Sequence, residues 1–419
     1  MGDAMSKACA GVMAAWAMLL LLPANAQESA PATDTAVEPL ALEWRASLIL
    51  QGDALFYSDL PEERLKRTEL RRARLGVQLL IDDETRLTAS ADFSNGARLR
   101  DLYVELRKSP QYWAIGRFPE PFGLAAQEGS RAGFMMETPM VSALGPGYGL
   151  GGAISLTGDE WGFSGGVFAA ASQISDEDAL KGAREENAIT LRYTRSAWRS
   201  ADRLLHMGIG FSQRKPAAET IRFVAIPESV LLRGLQVSSG VLPGEAADIS
   251  YQLFGGELAY AQGTLLLQSE YIRAQLPDFG LGAASYKGYY VEGAWALTGE
   301  QRPYSTRRGV FGPITPGRHW GEGAHGAWEL ALRYSTVDFS ANPFERIDEY
   351  LGQEYEDAFS AVFAGGTGQV VSIGLNWFPA PQTRVTLNGL HIEKERDGVK
   401  QNANAVQMRV YLQFDVKPQ

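Results

Sequence analysis

The sequence predicts an all-β protein, a 16-stranded antiparallel transmembrane β-barrel with an inward-folded constriction loop. Two patterns support this prediction. After residue 42, the chain consists of about sixteen segments, each roughly ten residues long, in which apolar and polar side chains alternate. Short turns and long loops follow one another between these segments, which is the arrangement of outer-membrane barrels.

The N-terminus has the pattern of an export signal. Lys7 precedes the apolar run Ala8–Leu22, and Ala24-Asn25-Ala26 fits a cleavage site. The run is short for a membrane anchor, and no later run of about 18 apolar residues predicts a transmembrane helix. The single cysteine, Cys9, lies within the signal, so the mature chain has no thiol. We therefore predict three parts, a signal peptide at 1–26, a flexible leader at 27–42 and an outer-membrane barrel domain at 43–419.

The boundaries of the strands follow from Gly, Pro, Asp and Asn residues that interrupt the alternation. The sixteen predicted strands are 44–57, 69–81, 85–94, 99–107, 111–118, 148–157, 161–170, 187–195, 204–214, 249–261, 264–275, 285–298, 326–338, 369–378, 383–393 and 404–416.

The lengths of the connections test this assignment independently. If both termini lie in the periplasm, connections from even to odd strands should be tight turns. Short connections occur on that side at 82–84, 108–110, 158–160, 262–263 and 379–382, and long ones occur on the other side at 119–147, 171–186, 215–248 and 340–368. Segment 299–325 is the exception, because it is long where a turn is expected. It is either an enlarged turn or contains a further pair of strands.

Alternation also assigns the two faces of each strand. In the last strand, Val406, Met408 and Val410 share one face, whereas Gln407 and Arg409 share the other. In a membrane barrel the apolar face contacts lipid and the polar face lines water. The sequence indicates no second apolar set to pack inside, which favours the barrel over a secreted β-sandwich or propeller.

A long insert between two strands, Pro119 to Gly147, is rich in Gly, Pro and Met. Loops of this length inside a compact fold are usually functional or disordered. We expect this insert to fold into the lumen of the barrel and to narrow the pore.

The composition argues against several classes of function. A net charge of −10 disfavours a nucleic-acid-binding protein. The histidines, His206, His319, His325 and His391, form no metal-ligand spacing, and no nucleophile stands in a catalytic frame. We therefore expect no enzyme, no cofactor and no metal site. An outer-membrane hydrolase is the least favoured alternative.

Arginines are the candidate functional residues, because a guanidinium is always charged and offers a planar fork to an oxyanion. Six lie on the polar face of predicted strands, Arg72, Arg74, Arg192, Arg333, Arg384 and Arg409, and two lie at or within the insert, Arg117 and Arg131. Such a series of cations lowers the barrier to anions without trapping them. The alternative for each arginine is an ion pair with a lumen carboxylate, the candidates being Asp92, Asp101, Glu105, Glu257, Glu270, Glu292 and Glu329.

Four segments resemble those of a known family, the phosphate-selective porins O and P. They are Glu69–Val77, Gly116–Gly123, Gly326–Ser335 and Leu375–Pro379, in the family's order. The resemblance covers most of residues 69–416. It implies a sixteen-stranded outer-membrane barrel, commonly a homotrimer, whose pore passes anions along arginines and binds phosphate through a ring of cationic donors.

The chain departs from the family pattern around the insert. The family often has a cation where this chain has Pro119, Thr138 and Tyr148, whereas this chain gains one at Arg117. Phosphate selectivity is therefore less firmly implied than the fold.

Two functional hypotheses follow. The first is a porin in the bacterial outer membrane, which passes small anions by diffusion, with phosphate or a similar oxyanion as the first candidate. Its partners would be small anionic solutes, outer-membrane lipid and lipopolysaccharide, and no nucleic acid. The second is a binding or structural barrel in the outer membrane whose loops plug the pore, so that its conductance is small.

Overall fold

A computed structural model describes most of the predicted barrel domain. The described residues are 43–62, 65–169, 186–217, 220–232, 235–240, 242–243, 250–278, 283–321, 323–341 and 365–417. The predicted signal peptide and leader, residues 1–42, lie outside the described residues, and their boundaries stay predictions.

Sixteen antiparallel strands form a closed barrel in which each strand pairs with its neighbours along the chain. The barrel closes between its first and last strands, where Ala46 pairs with Val416. The strands are β1 (Glu43–Ser58), β2 (Thr68–Leu80), β3 (Thr85–Asp92), β4 (Arg98–Lys108), β5 (Gln111–Pro119), β6 (Tyr148–Thr157), β7 (Trp161–Ala169), β8 (Glu186–Ala197), β9 (Arg203–Pro216), β10 (Tyr251–Gln262), β11 (Leu265–Asp278), β12 (Ala283–Ala296), β13 (Ala327–Asp338), β14 (Thr367–Ala380), β15 (Thr383–Arg396) and β16 (Val399–Val416). The predicted closed antiparallel barrel of sixteen strands is confirmed, whereas the constriction by the insert stays a prediction.

The two faces of the wall differ as the alternation predicts. In β16, Gln407 and Arg409 are buried inside the barrel, whereas Val406 and Met408 on the opposite face are partly exposed. Outward side chains such as Ile115 are exposed by as much as 69% within the chain. Lipid covers such side chains in a membrane barrel, so their exposure needs no second protein layer.

The end of the lumen on the side of the long connections is apolar, which the sequence analysis did not expect. Inward-facing Tyr251, Leu253 and Tyr286 are at most 1% exposed, and they belong to one core cluster with Phe223 of the β9–β10 connection. The ring of Phe223 lies 5.6 Å from that of Tyr286. The expectation of no apolar set inside the barrel is wrong, because one strand's alternation does not show which loop will cover its inner face.

Three connections have described residues that pack against the inner wall. We call them the inner loop (120–147, between β5 and β6), the outer loop (the described part of 217–250, between β9 and β10) and the periplasmic segment (the described part of 297–326, between β12 and β13). The periplasmic segment resolves the exception in the sequence pattern. It is an enlarged turn that carries a short hairpin, Tyr304–Ser305 paired with Val310–Phe311.

The helical elements that the structure describes are two short pieces of the inner loop. They are α1 (Leu124–Gln127) and a 3₁₀ turn at Met140–Ala143. In the part of the chain that the structure describes, no helix has the length and hydrophobicity needed to cross a membrane. Residues 170–185 and 342–364, within two predicted long outer connections, lie outside the described residues.

Candidate functional site

The inner loop extends from β5 and β6 to the opposite wall. Its backbone is held there by side chains of the wall: Arg384 donates to the carbonyl oxygen of Phe134 at 2.9 Å, and Arg333 donates to that of Glu137 at 2.8 Å. The amide of Met136 donates to Oδ1 of Asn388 at 3.1 Å. Because backbone groups away from water need partners, these polar residues of β13 and β15 fix the path of the loop.

The periplasmic segment is anchored by two ion pairs. The guanidinium of Arg302 forms a bidentate ion pair with Glu329 of β13. Its Nη2 atom lies 2.8 Å from each of the two carboxylate oxygens. Arg307 donates to Glu105 of β4 at 2.6 Å. Arg302 also donates to the carbonyl oxygen of Ala132 at 2.7 Å, so the segment contacts the inner loop as well as the wall.

The outer loop is held by a buried carboxylate. Glu228, which is 1% exposed, accepts hydrogen bonds from Arg333 at 3.2 Å and from the hydroxyl of Ser372 at 2.8 Å. Ser229 donates to Gln407 at 2.7 Å. The wall residues that hold this loop come from β13, β14 and β16, so the outer and inner loops share the same side of the barrel.

A cavity of about 490 Å³ lies between the inner loop and the barrel wall, where its lining residues come from β2, β4–β9, β12 and β13. Its lining runs from Val224 and Ile226 of the outer loop to Arg308 of the periplasmic segment. The charged lining residues are seven arginines and five glutamates, Arg72, Arg74, Arg100, Arg117, Arg214, Arg308 and Arg333 with Glu120, Glu128, Glu137, Glu186 and Glu292.

Four of the eight arginines selected from the sequence line this cavity, namely Arg72, Arg74, Arg117 and Arg333. Arg72 forms no ion pair among the described residues. Arg74 lies 3.8 Å from Asp92, a long ion pair. These two cations stand on successive inward positions of β2.

For three predicted arginines, the alternative of an ion pair describes the structure. Arg192 forms a bidentate ion pair with Glu257, in which both N–O distances are 2.7 Å. Arg409 forms the same arrangement with Asp53, also at 2.7 Å. Arg333 lies 2.6 Å from Glu292, its second partner beside Glu228. Buried pairs of this kind hold the wall and the loops together, and their charge is compensated.

Arg384 and Arg131 have other surroundings. Arg384 is 3% exposed and donates to backbone carbonyl oxygens of the inner loop and to Oδ1 of Asn376 at 2.9 Å. Arg131 is partly exposed and does not line the cavity. The backbone carbonyl of Arg131 accepts a hydrogen bond from Arg384 at 3.2 Å.

Backbone irregularities turn two further arginines inward. Between β1 and β2 the register shifts so that Gln51 pairs with Arg72 and Gly52 with Leu70, and Arg71 is the extra residue between them. The side chain of Arg71 is buried and donates to Glu137 at 2.8 Å. An extra residue in a strand re-aims side chains in this way, so strict alternation assigns Arg71 to the wrong face.

The same irregularity occurs at Arg100 of β4. Ser90 pairs with Asp101 and Ala91 with Leu99, so Arg100 is the extra residue at this shift of register. Its guanidinium lies 4.4 Å from the ring centroid of Tyr148 at the start of β6. Arg100 is therefore a cavity residue that sequence reasoning missed, and the polar–apolar pattern alone carried no signal for it.

Gly116 allows Arg117 to reach the same ring. Arg117 pairs with Leu102 and Leu150, which are both exposed on the lipid face, yet Arg117 is buried and its guanidinium lies 5.5 Å from the ring of Tyr148. Gly116 has φ 133°, a conformation that side-chain-bearing residues rarely adopt. A Cβ atom at this position would lie 2.2 Å from the carbonyl oxygen of Leu102.

A family model described as phosphate-selective porin O and P matches residues 51–414 of the chain. The chain belongs to this family. The porin is 23% identical over 256 residues to Porin O of Pseudomonas aeruginosa, a match that covers 57% of this chain and 53% of that protein. It therefore spans about half the length of that relative.

Two solved structures have the same fold as this porin. OmpT of Vibrio cholerae, in its trimer form, aligns with a TM-score of 0.51 at 12% identity over 89% of this chain and 99% of that one. The anion-selective porin from Comamonas acidovorans aligns with a TM-score of 0.51 at 10% identity over the same shares. Family and fold together place this porin in the bacterial outer membrane.

Two glutamates of the porin's inner loop differ in their electrostatic surroundings. Burial would raise the pKa of Glu137, but the guanidinium groups of Arg71 and Arg409 hold it well below its usual value. For Glu128, burial and the nearby carboxylate of Glu292 raise the pKa to about 8. At pH 7 Glu137 is therefore charged and compensated, whereas Glu128 is largely neutral.

Proposed function

We propose that this porin conducts small anions by passive diffusion, with phosphate or a similar oxyanion as the first candidate. The observation that carries the proposal is the excess of arginine over glutamate around the cavity. A guanidinium remains charged at any physiological pH. A water-filled path bordered by several such groups attracts anions at several sites, and no single site need hold them tightly.

Ion pairs and protonation reduce the negative charge of the cavity lining. Glu137 is paired with both Arg71 and Arg409, whereas Glu120 and Glu186 share one arginine, Arg214. Glu128 is largely neutral at pH 7. Arg72 and Arg308 face the cavity without an ion pair among the described residues, so passing anions would meet their uncompensated charge.

The inner loop sets the width of the proposed path. Its residues form one side of the cavity, and the arginines of β2, β4 and β5 form the other. We propose that the loop narrows the pore there, so that anions pass within reach of Arg100 and Arg117. Arg308 would act at the periplasmic end of the same path.

Reversal potentials in planar bilayers under a KCl gradient test the proposal. Wild-type porin should prefer chloride, and Arg72→Gln and Arg308→Gln should each reduce that preference. Arg195→Gln is the matched control, because Arg195 lies 3.8 Å from Glu160 with both side chains more than half exposed, away from the cavity lining. A cation-selective wild type would overturn the proposal.

A second candidate function is a barrel plugged by its own loops, which conducts little. The observation that favours it is the apolar cluster at the extracellular end, where Phe223, Leu231 and Val237 of the outer loop are at most 2% exposed. Negligible current from protein whose insertion has been verified would support this candidate. Chloride-selective steps would support the first.

We also propose a homotrimer surrounded by outer-membrane lipid and lipopolysaccharide. OmpT of Vibrio cholerae, which shares the fold, is described in a trimer form. The mass of the detergent-solubilised porin, measured by light scattering after subtraction of detergent, tests the trimer. A monomer mass would overturn it.

A further inference from the structure

The periplasmic segment returns from the lumen to the outer surface of the barrel before it enters β13. Its hairpin residues Val310 and Phe311 are buried among residues of the inner loop and wall, and Ile314 is also fully buried. Six residues later, Trp320 is 65% exposed. The segment therefore crosses the periplasmic rim of the barrel between these positions.

Trp320 lies against two tryptophans of the lipid-facing wall. Its ring centroid is 5.7 Å from that of Trp377 in an edge-to-face arrangement. Trp377 stacks in turn on Trp328, also at 5.7 Å. Trp328 and Trp377 are paired at the periplasmic ends of β13 and β14, on the face that also carries the exposed Leu330 and Leu375.

The backbone holds this cluster in place. The amide of Trp320 donates to the carbonyl oxygen of Pro379 at 2.9 Å, and the indole N–H of Trp377 donates to the carbonyl oxygen of His325 at 2.8 Å. Gly326 then leads into β13 with φ 69°. A Cβ atom there would lie 2.4 Å from the carbonyl oxygen of Phe378, so only glycine fits this re-entry point.

We propose that Trp320 is a lipid anchor, which inserts with Trp328 and Trp377 into the headgroup region of the inner leaflet and thereby helps to hold the periplasmic segment in the lumen. Tryptophan concentrates at membrane–water interfaces, because its large apolar ring carries one polar N–H group. The two neighbouring tryptophans extend the lipid-facing wall to the level of Trp320. Continuity with that wall favours phospholipid as the occupant over a periplasmic protein.

Quenching of tryptophan fluorescence by brominated phospholipids tests the anchor in proteoliposomes. The fraction of emission that the lipid quenches should fall in Trp320→Phe. Trp198→Phe is the matched control, because Trp198 is 77% exposed in the β8–β9 turn at the same end of the barrel. In that variant the quenched fraction should stay equal or rise. Mobility of unheated samples on denaturing gels verifies that each barrel has folded.

Single-channel recordings test the holding role. Trp320→Ala should increase current noise in the open channel, whereas Trp198→Ala should not. The anchor is overturned if the emission lost in Trp320→Phe is quenched by acrylamide in water and not by brominated phospholipid. It is also overturned if neither quencher reaches the emission of Trp320. Unchanged noise in Trp320→Ala would overturn the holding role. None of these outcomes depends on whether the channel prefers anions.

Discussion

Arg302 and Glu329 form a buried bidentate ion pair that connects the periplasmic segment to the inner face of β13. The side chains are 4% and 1% exposed. Glu329 also accepts a hydrogen bond from the side-chain amide of Asn376 at 3.0 Å. Arg302 donates another to the carbonyl oxygen of Ala132 in the inner loop. One ion pair thus connects the wall, the periplasmic segment and the inner loop.

Arg302→Ala should destabilise the barrel strongly, because it leaves the Glu329 carboxylate buried without its cation. Removing one partner of a buried pair costs about 3–5 kcal/mol. The temperature at which the folded band disappears on denaturing gels should fall clearly below that of wild type. Arg195→Ala, which breaks an exposed pair with Glu160, should change stability by less than about 1 kcal/mol. Equal effects of both substitutions would contradict the role assigned to Arg302.

Gly116→Ala should disturb the inward position of Arg117. The new Cβ atom would overlap the backbone of β4, and a strained backbone conformation costs about 1–3 kcal/mol in addition. We expect a lower unfolding temperature and, in the fraction that folds, weaker anion preference. Gly256→Ala is the control, since nothing lies within 4 Å of its added Cβ atom. An unaffected Gly116→Ala porin would show that the strand relaxes without cost.

Arg117→Ala and Arg131→Ala should differ in their effect on selectivity. Arg117 lines the cavity beside Tyr148, whereas Arg131 does not line it. We therefore expect the reversal potential to shift toward zero in Arg117→Ala and to stay near the wild-type value in Arg131→Ala. The reverse order would place the selective region near Arg131 instead of along β5.

Anion preference should fall as the pH rises from 7 to 9. Burial and the carboxylate of Glu292 raise the pKa of Glu128 to about 8, so this group is neutral below that pH and negative above it. A new negative charge on the lining opposes anions. Glu128→Gln should remove the pH dependence in this range while it keeps the preference measured at pH 7. A pH profile identical in wild type and Glu128→Gln would assign the titration to another group.

The inner loop illustrates how far sequence reasoning could reach. Its length and composition singled out 119–147 as a functional insert, and Arg384 was identified as an inward residue. That Arg384 binds the loop's backbone at Phe134 instead of lining the cavity depends on a contact between residues 250 positions apart. No local sequence pattern encodes a contact between residues that are so far apart in the chain.

The sequence by itself determined the barrel, because sixteen alternating segments leave one polar and one apolar face, and only a closed cylinder satisfies every backbone group in lipid. It also determined a set of inward arginines. The tertiary structure decided which of them line the cavity. Register shifts at Arg71 and Arg100, together with the positive φ of Gly116, override the alternation. Carboxylates that are distant in sequence but lie on the next strand, or the next but one, compensate Arg192, Arg333 and Arg409. The physical reason is that alternation is a local property of the backbone, whereas charge compensation depends on the strand register, which brings together two residues that are far apart in the sequence.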